Sequence, residues 1–250
     1  MTRTIDLNAD VGEGCGDDAA MMPLISSANI ACGGHAGDTG TMAAAIEAAL
    51  AYGVAVGAHP AYPDKEGFGR KSMAMTEDEL TRTLADQLLG FLRIARAAGA
   101  PVHHVKPHGA LYHDAAVSPI IADTICAVID TILPGTLIYG PPQGVLRDVA
   151  VAQGRPYVAE GFADRRYLPT GKLVPRSEAD AVLATDEERL SQALMIAEEG
   201  QVETRGGNRI PLPVQTICLH GDTAGAVASA QLIRSRLEEA AIEIAAPVIP

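Results

Sequence analysis

Residues 41–60, TMAAAIEAALAYGVAVGAHP, contain the unit from which most of this chain is built. The alanine-rich segment 41–52 is typical of an α-helix, and the β-branched run 54–58 after it is typical of a buried strand. The strand then ends in the polar pair His59 and Pro60. Because a helix, a strand and a polar strand end recur along the chain, this unit predicts the fold class.

Segments of the same two kinds occupy most of the remaining sequence. Further strands are predicted at residues 4–8, 28–32, 102–106, 136–139, 157–160 and 216–219. Further helices are predicted at residues 76–98, 119–132, 144–152, 185–199 and 224–240. Strands that alternate with helices form parallel sheets with right-handed crossovers, so the chain is predicted to be an α/β protein. About seven such units in 250 residues favour one (β/α) barrel-like domain, residues 1–250.

An open doubly wound sheet is the alternative architecture. It would normally carry a glycine fingerprint after its first strand, and Gly12, Gly14 and Gly16 lack the required spacing. The sequence also contains no Walker A motif, so no nucleotide site is predicted in this chain. Residues 161–177 form a predicted loop long enough to be a lid or binding loop, and residues 200–213 are a candidate hairpin.

The composition excludes several classes of function. A formal net charge of −12 and an aromatic content of 4% argue against a nucleic-acid partner. No apolar run approaches the length of a membrane span, and residues 1–10 do not resemble a signal peptide. The four cysteines form no CxxC pair, which suits reduced thiols. A soluble cytoplasmic enzyme with no membrane partner is therefore expected.

Polar residues follow nearly every predicted strand. In a barrel the carboxyl ends of all strands meet on one face, and that face carries the active site. We therefore predict a single site there, with these catalytic candidates: Asp10, Glu13, His59, Lys106, His108 and His220. The candidates for substrate binding are Asn8, His35, Arg70, Tyr112, Asp164, Arg165, Lys172 and Asp222.

Each candidate also has a structural interpretation. Asn8 and Asp10 are residue types that form turns after strands, and Asp38 is better interpreted as a helix cap than as a substrate contact. His59 precedes a proline, which favours an extended backbone that projects it from the strand end. A buried Lys106 would be costly without an anion nearby, which favours a functional role.

The residue types at these strand ends suit hydrolysis at a carbonyl or amide carbon. Such a reaction needs a base for water, an acid for the leaving nitrogen and a group that stabilises the oxyanion. Asp10 or Glu13 with His59 could supply the base, and Lys106, His108 or His220 the acid or the stabilising charge. No Gly-x-Ser-x-Gly motif indicates a serine nucleophile. Asp10, His59 and His104 could instead hold a divalent metal ion.

Six motifs at these strand ends resemble the LamB/YcsF family and occur in its order. They are DLNADVGE (6–13), SSANIACGGHAGD (26–38), GAHPAYPDKEGFGR (57–70), HVKPHGALY (104–112), GFADRRY with GKLVPR (161–176) and ICLHGDT (217–223). The departures are small: Ala9 stands where the family often has Cys, Lys71 where a second Arg is usual, and His113 where Asn is frequent. The resemblance is therefore highly specific.

The resemblance implies a barrel similar to that of polysaccharide deacetylases. It further implies ATP-dependent opening of 5-oxoproline to L-glutamate, with Mg-ATP as co-substrate and 5-oxoprolinase subunits B and C as partners. Two other hypotheses remain open at this point. The chain could be a metal-dependent amidase or deacetylase that acts alone, or a non-catalytic subunit that binds the substrate for its partners.

Overall fold

The computed structural model of this protein describes residues 3–221 and 225–248. Its strands are β1 (Arg3–Val11), β2 (Ser27–Ala31), β3 (Ala55–His59), β4 (Val102–Val105), β5 (Leu137–Gly140), β6 (Tyr157–Phe162), β7 (Gln201–Glu203), β8 (Arg209–Pro211), β9 (Thr216–Cys218) and β10 (Ile242–Ile244). Strands β1 to β6 pair in chain order, and β9 pairs with both β6 and β1. All these pairings are parallel, so seven strands close a barrel. The predicted α/β barrel of about seven strands is confirmed.

Helices connect the strands on the outside of the barrel. They are α1 (Asp18–Met21), α2 (Thr39–Tyr52), α3 (Glu77–Ala97), α4 (Gly109–Ala115), α5 (Pro119–Ile132), α6 (Val145–Ala152), α7 (Asp186–Leu194) and α8 (Ala226–Glu239). The described ranges contain no single helix that is long and apolar enough to span a membrane. Helices α4 and α5 meet the length and composition requirement only together, across a bend of 112°.

Side-chain caps fix where the main helices begin. Thr76 accepts a hydrogen bond from the Glu79 amide while the Glu79 carboxylate accepts one from the Thr76 amide, and Thr185 begins α7 in the same way. Asp38 caps α2 by accepting from the amides of Gly40 and Thr41. The capping interpretation of Asp38 is therefore confirmed.

Three short elements were not predicted from the sequence. Helix α4 has no side-chain cap and begins at Gly109 with a φ of 54°, so it lacks the signals that mark a helix start. Helix α1 has four residues and β10 has three, too few to show a period. Strand β10 extends the sheet by pairing with Arg3–Ile5, and β7 with β8 forms the hairpin expected within residues 200–213.

The two faces of β1 are chemically different. Leu7, Ala9 and Val11 belong to the apolar core that surrounds the barrel. The alternate residues Asp6 and Asn8 are buried, and with Asp10 they bond to side chains from other barrel strands. Because successive strand residues point to opposite faces, the sequence DLNADV places apolar groups outside and polar groups inside. The barrel interior is thus a hydrogen-bonded polar column.

Candidate active site

Asp10 lies at the upper end of this column, where the strands end. Its Oδ1 accepts hydrogen bonds from Asn29 Nδ2 at 2.8 Å and from Lys106 Nζ at 3.0 Å, and its Oδ2 lies 3.3 Å from His59 Nε2. Burial acts to raise the pKa of Asp10. The charges of His59 and Lys106 outweigh it, so the pKa lies well below its usual value. Asp10 is therefore a carboxylate at neutral pH.

The Lys106 ammonium is enclosed by groups that accept hydrogen bonds. Besides Asp10, it contacts Glu160 Oε1 at 2.7 Å, Asn8 Oδ1 at 3.2 Å and Cys218 Sγ at 3.2 Å. Burial acts to lower the pKa of Lys106, but Asp10, Cys218 and Glu160 together hold it well above its usual value. Lys106 is thus a fixed cation between two carboxylates, and its donors are already used within the protein.

Three histidines and one glutamate form a second cluster beside Asp10. His59 Nε2 lies 2.9 Å from His108 Nδ1, and His35 Nε2 lies 2.9 Å from Glu13 Oε1. The rings of His35 and His108 stack with centroids 3.6 Å apart. Burial is the largest cause that lowers the pKa of His35, and it holds the pKa of His108 well below its usual value. Neutral imidazoles are therefore favoured at both positions.

His220 and Asp164 form a dyad on the opposite side of the site. His220 Nδ1 donates to both carboxylate oxygens of Asp164, at 2.9 and 2.8 Å, and its ring stacks on Phe162. Burial acts to raise the pKa of Asp164, but the charge of His220 outweighs it and the pKa is lowered. The carboxylate fixes the orientation of the imidazole, as an acid–base catalyst requires.

These groups border one large cavity of about 780 Å³. Most of the catalytic candidates line it: Asp10, Glu13, His59, Lys106, His108 and His220. Three arginines also line it, Arg70, Arg165 and Arg176, and Tyr112 contributes to the wall. Its volume lies in the usual range for small-molecule sites, and its lining combines acid–base groups with cations for an anionic ligand.

Some predicted contacts lie outside this cavity. Asn8 lies deeper in the barrel, where it bonds to Asn29 and Thr216, and His35 lies behind the cavity wall. Asp164 contacts His220 rather than the cavity. These three residues support groups that line the cavity, because each predicted strand end projects side chains at more than one depth.

Two further predictions need comment. Lys172 is exposed and does not line the cavity, since the loop turns its side chain to solvent and presents Arg176 instead. The prediction that Lys172 binds substrate is therefore wrong. Asp222 lies outside the described residues.

The predicted metal set of Asp10, His59 and His104 is also wrong. His104 is fully buried, where its Nε2 donates to Asn29 Oδ1 at 2.8 Å and its Nδ1 faces His103 Nδ1 at 3.1 Å. Both ring nitrogens are thus engaged, and the ring stacks on Tyr139 inside the barrel. Sequence spacing could not show this because it does not give the depth of a side chain.

Sequence reasoning also left out residues that build the site. Glu160 is buried and pairs with Lys106, and Asn29 holds Asp10. Both stand in predicted strands beside apolar neighbours, and an acidic or amide residue at such a position is a signal that could have identified them. Arg176 had no such signal, since loop cations are common at protein surfaces.

The sequence profile of the LamB/YcsF family matches residues 5–249. The chain belongs to this family. A curated LamB/YcsF relative, the 5-oxoprolinase A-subunit of Methylococcus capsulatus, is 44% identical over 251 residues, which cover 98% of this chain and 96% of the relative. The resemblance inferred from the six motifs is thus confirmed.

Solved structures agree with this assignment. The lactam utilization protein from Thermus thermophilus superposes with a TM-score of 0.92 at 38% identity, covering 98% of this chain and 100% of that one. The peptidoglycan deacetylase PdaC from Bacillus subtilis gives a TM-score of 0.50 at 11% identity, covering 98% and 87%. The second similarity concerns the fold alone, and it confirms that the LamB/YcsF barrel is related to that of such deacetylases.

Proposed function

We propose that this chain opens the lactam ring of 5-oxoproline to give L-glutamate, as the A-subunit of an ATP-dependent 5-oxoprolinase. In this proposal subunits B and C are its partners, Mg-ATP is the co-substrate of the complex, and the complex works in the cytoplasm. The names of the Methylococcus and Thermus relatives support a lactam substrate. The absence of a Walker A motif from the sequence supports activation by partners.

The observation that carries the proposal is the position of Asp10 relative to His220. A carboxylate oxygen of Asp10 and a ring nitrogen of His220 lie within 4.8 Å of each other at the floor of the cavity. One water molecule with two hydrogen bonds of about 2.8 Å bridges such a gap. Asp10 would orient this water, and its low pKa makes it a director of water rather than a strong base.

The order of bond cleavage defines the task of His220. The partners would transfer a phosphoryl group from ATP to the lactam oxygen, and water would then add to the activated carbon. From that tetrahedral intermediate the ring opens only if the nitrogen gains a proton; otherwise phosphate leaves and the lactam re-forms. His220 would take the proton from water and pass it to the nitrogen while Asp164 stabilises the imidazolium.

Ring opening in this way yields an acyl phosphate, which a second water molecule converts to glutamate and phosphate. Both the phosphate and the substrate carboxylate are anionic, and Arg70, Arg165 and Arg176 line the cavity that would hold them. A cavity of about 780 Å³ has room for a lactam that carries a phosphate.

A second candidate function is a metal-dependent amidase or deacetylase that acts without partners. The cluster of Glu13, His35, His59 and His108 favours it, since these are residue types that bind catalytic metals. Such an enzyme would not need ATP, and this difference separates the two candidates.

The test is glutamate release from 5-oxoproline with Mg-ATP, measured for this chain alone, for subunits B and C alone, and for the mixture. Turnover only in the mixture is the expected result. Turnover by this chain alone would contradict the proposed division of labour. No turnover in a mixture with competent partners would favour the amidase.

Two variants distinguish a catalytic subunit from a binding subunit. Asp10→Asn and His220→Gln should form the complex and consume ATP but release glutamate at least about 100-fold more slowly. An unchanged rate of glutamate release at saturating 5-oxoproline in both variants would instead favour the non-catalytic role.

A further inference from the structure

The cluster of Glu13, His35, His59 and His108 has the composition of a metal site. Each residue offers one ligand atom, and these four atoms all lie within 4.8 Å of one another. The residues come from separate strand ends, so the barrel itself brings them together. The cluster lies beside the site of the proposed reaction, but its chemistry can be examined without substrate or partners.

Hydrogen bonds fix the protonation of two of the rings. His59 Nδ1 lies 2.7 Å from the Lys106 carbonyl, and His108 Nε2 lies 3.0 Å from the Phe68 carbonyl. Since a carbonyl only accepts, both nitrogens must carry a proton that they donate. The remaining nitrogens, His59 Nε2 and His108 Nδ1, then point lone pairs at each other across 2.9 Å. This contact is repulsive unless a cation lies at that point.

A second nitrogen anchored on a backbone carbonyl is the usual way in which proteins orient metal-binding histidines. His35 is less constrained, because its Nε2 contacts only Glu13 and its buried Nδ1 has no hydrogen-bond partner among the described residues. Glu13 supplies the negative charge that offsets a cation. Glu13, His59 and His108 line the cavity, so the cluster is open to a ligand on that side.

A second group of potential ligands, Asp10, Cys218 and His220, is less suitable. Lys106 Nζ lies 3.0 Å from Asp10 Oδ1 and 3.2 Å from Cys218 Sγ. An ammonium therefore already occupies the centre of this group, and a divalent cation there would be repelled by it. In the part of the chain that the structure describes, no lysine ammonium is bonded to the ligand atoms of the histidine cluster.

We propose that Glu13, His35, His59 and His108 bind one divalent transition-metal ion per chain. Three imidazoles and one carboxylate suit Zn²⁺, Mn²⁺, Fe²⁺ or Co²⁺, whereas Mg²⁺ and Ca²⁺ prefer oxygen ligands. The site is thus distinct from the Mg²⁺ that accompanies ATP. It also differs from the Asp10–His59–His104 set that spacing alone suggests.

The test uses the full chain after removal of metal with a chelator, titrated with Co²⁺ in the absence of substrate, ATP and partner subunits. Visible d–d absorption bands report coordination by nitrogen and oxygen, and calorimetry gives stoichiometry and affinity. One Co²⁺ per chain is expected. His108→Asn and Glu13→Gln should each weaken binding by at least about 100-fold, since removal of a ligand costs no less than loss of its orienting partner.

His103→Asn is the matched control. This histidine lies in β4 near the cluster in sequence but bonds to the Pro247 carbonyl, and its replacement should leave Co²⁺ affinity unchanged. Glu13 is only partly buried, so Glu13→Gln keeps the test valid if His108→Asn does not fold. Thermal unfolding of each variant checks the fold.

Three results would overturn the proposal. They are no Co²⁺ binding by the wild-type chain, equal binding by the wild type and by both ligand variants, and loss of binding in Cys218→Ala with retention in Glu13→Gln. The last result would place the ion at the second group. Because none of these measurements uses the reaction, their failure leaves the proposed lactam opening intact.

Discussion

Asp10 is held by side chains from three other strand ends. Asn29 and Lys106 donate to one of its carboxylate oxygens, and His59 lies against the other. An amide at position 10 would keep the shape but lose the charge that orients water. We expect Asp10→Asn to reduce glutamate release by the complete complex by about 10² to 10³-fold.

The control for this substitution is Asp38→Asn, which changes an exposed helix cap in the same chemical way. Asparagine also caps helices, so that variant should keep both activity and melting temperature. Asp10→Asn also weakens an ion pair, so some loss of stability is expected. A variant with full activity would remove Asp10 from the mechanism.

Lys106 neutralises two buried carboxylates, Asp10 and Glu160. Lys106→Met should destabilise the fold by about 3–5 kcal/mol, because both carboxylates would remain buried without a cation. Urea unfolding measures this loss. The double variant Lys106→Met with Glu160→Gln should recover part of it, since one uncompensated charge is removed. A loss below about 1 kcal/mol in the single variant would mean that the pair contributes little.

Asp164 makes stability depend on pH. Its folded pKa is depressed by His220, so its contribution is present above the unfolded value of about 3.9 and is lost as pH falls through the folded pKa. The stability gap between wild type and Asp164→Asn should therefore stay constant from about pH 7 to pH 5 and narrow below that. Urea unfolding at several pH values checks it. A gap that widens on acidification would contradict the assigned direction.

At the level of secondary structure, β3 depends on a glycine that faces the barrel interior. A Cβ at Gly57 would lie 2.0 Å from His104 Nε2 and 2.3 Å from its Cε1. His104 cannot move away, because it is stacked on Tyr139 and bonded to Asn29. Gly57→Ala should cost about 1–3 kcal/mol, the range for overpacking a core.

Gly90 provides the comparison for this variant. It lies within α3, and a Cβ there would meet nothing within 4 Å. Gly90→Ala should therefore stabilise the chain by about 0.5–1 kcal/mol through helix propensity. Chemical unfolding of both variants gives the two values. Equal effects would mean that the interior contact at Gly57 relaxes without cost.

The regular elements were predictable because their signals are local. Period and caps predicted α2, α3 and α7, and β-branched runs predicted all seven barrel strands. The short helix α4 and strand β10 escaped prediction since tertiary contacts stabilise them: β10 exists through its pairing with β1. The predicted helix at 185–199 also changes at Met195 to a wider π turn, which no residue type announces.

At the level of the whole molecule, barrel closure explains how much of the site could be predicted. Parallel strand ends converge, so residues as distant in sequence as Asp10 and His220 could be assigned to one cavity. Depth could not be assigned. Asn8 and Asp10 point the same way but differ by two residues, about 6.6 Å along a strand, and only one lines the cavity.

Closure also predicts a pattern of hydrogen exchange. Strand β1 pairs with β2 on one side and β9 on the other, and β10 covers its first residues. Its amides should exchange only through global opening, whereas those of the hairpin β7–β8 should exchange by local opening. Mass-spectrometric exchange at neutral pH compares the two segments. Equal protection would indicate that the barrel and the hairpin open together.

The polar column inside the barrel has a consequence for the evolution of this sequence. Asp6 accepts from four hydroxyl groups, those of Ser26, Ser27, Tyr139 and Thr216, and Thr216 in turn accepts from Asn8. A single substitution that makes one of these positions apolar leaves several partners unsatisfied, so an ordinary hydrophobic barrel cannot be reached by single viable steps. The helical shell can diverge freely, while the interior must be inherited as a unit.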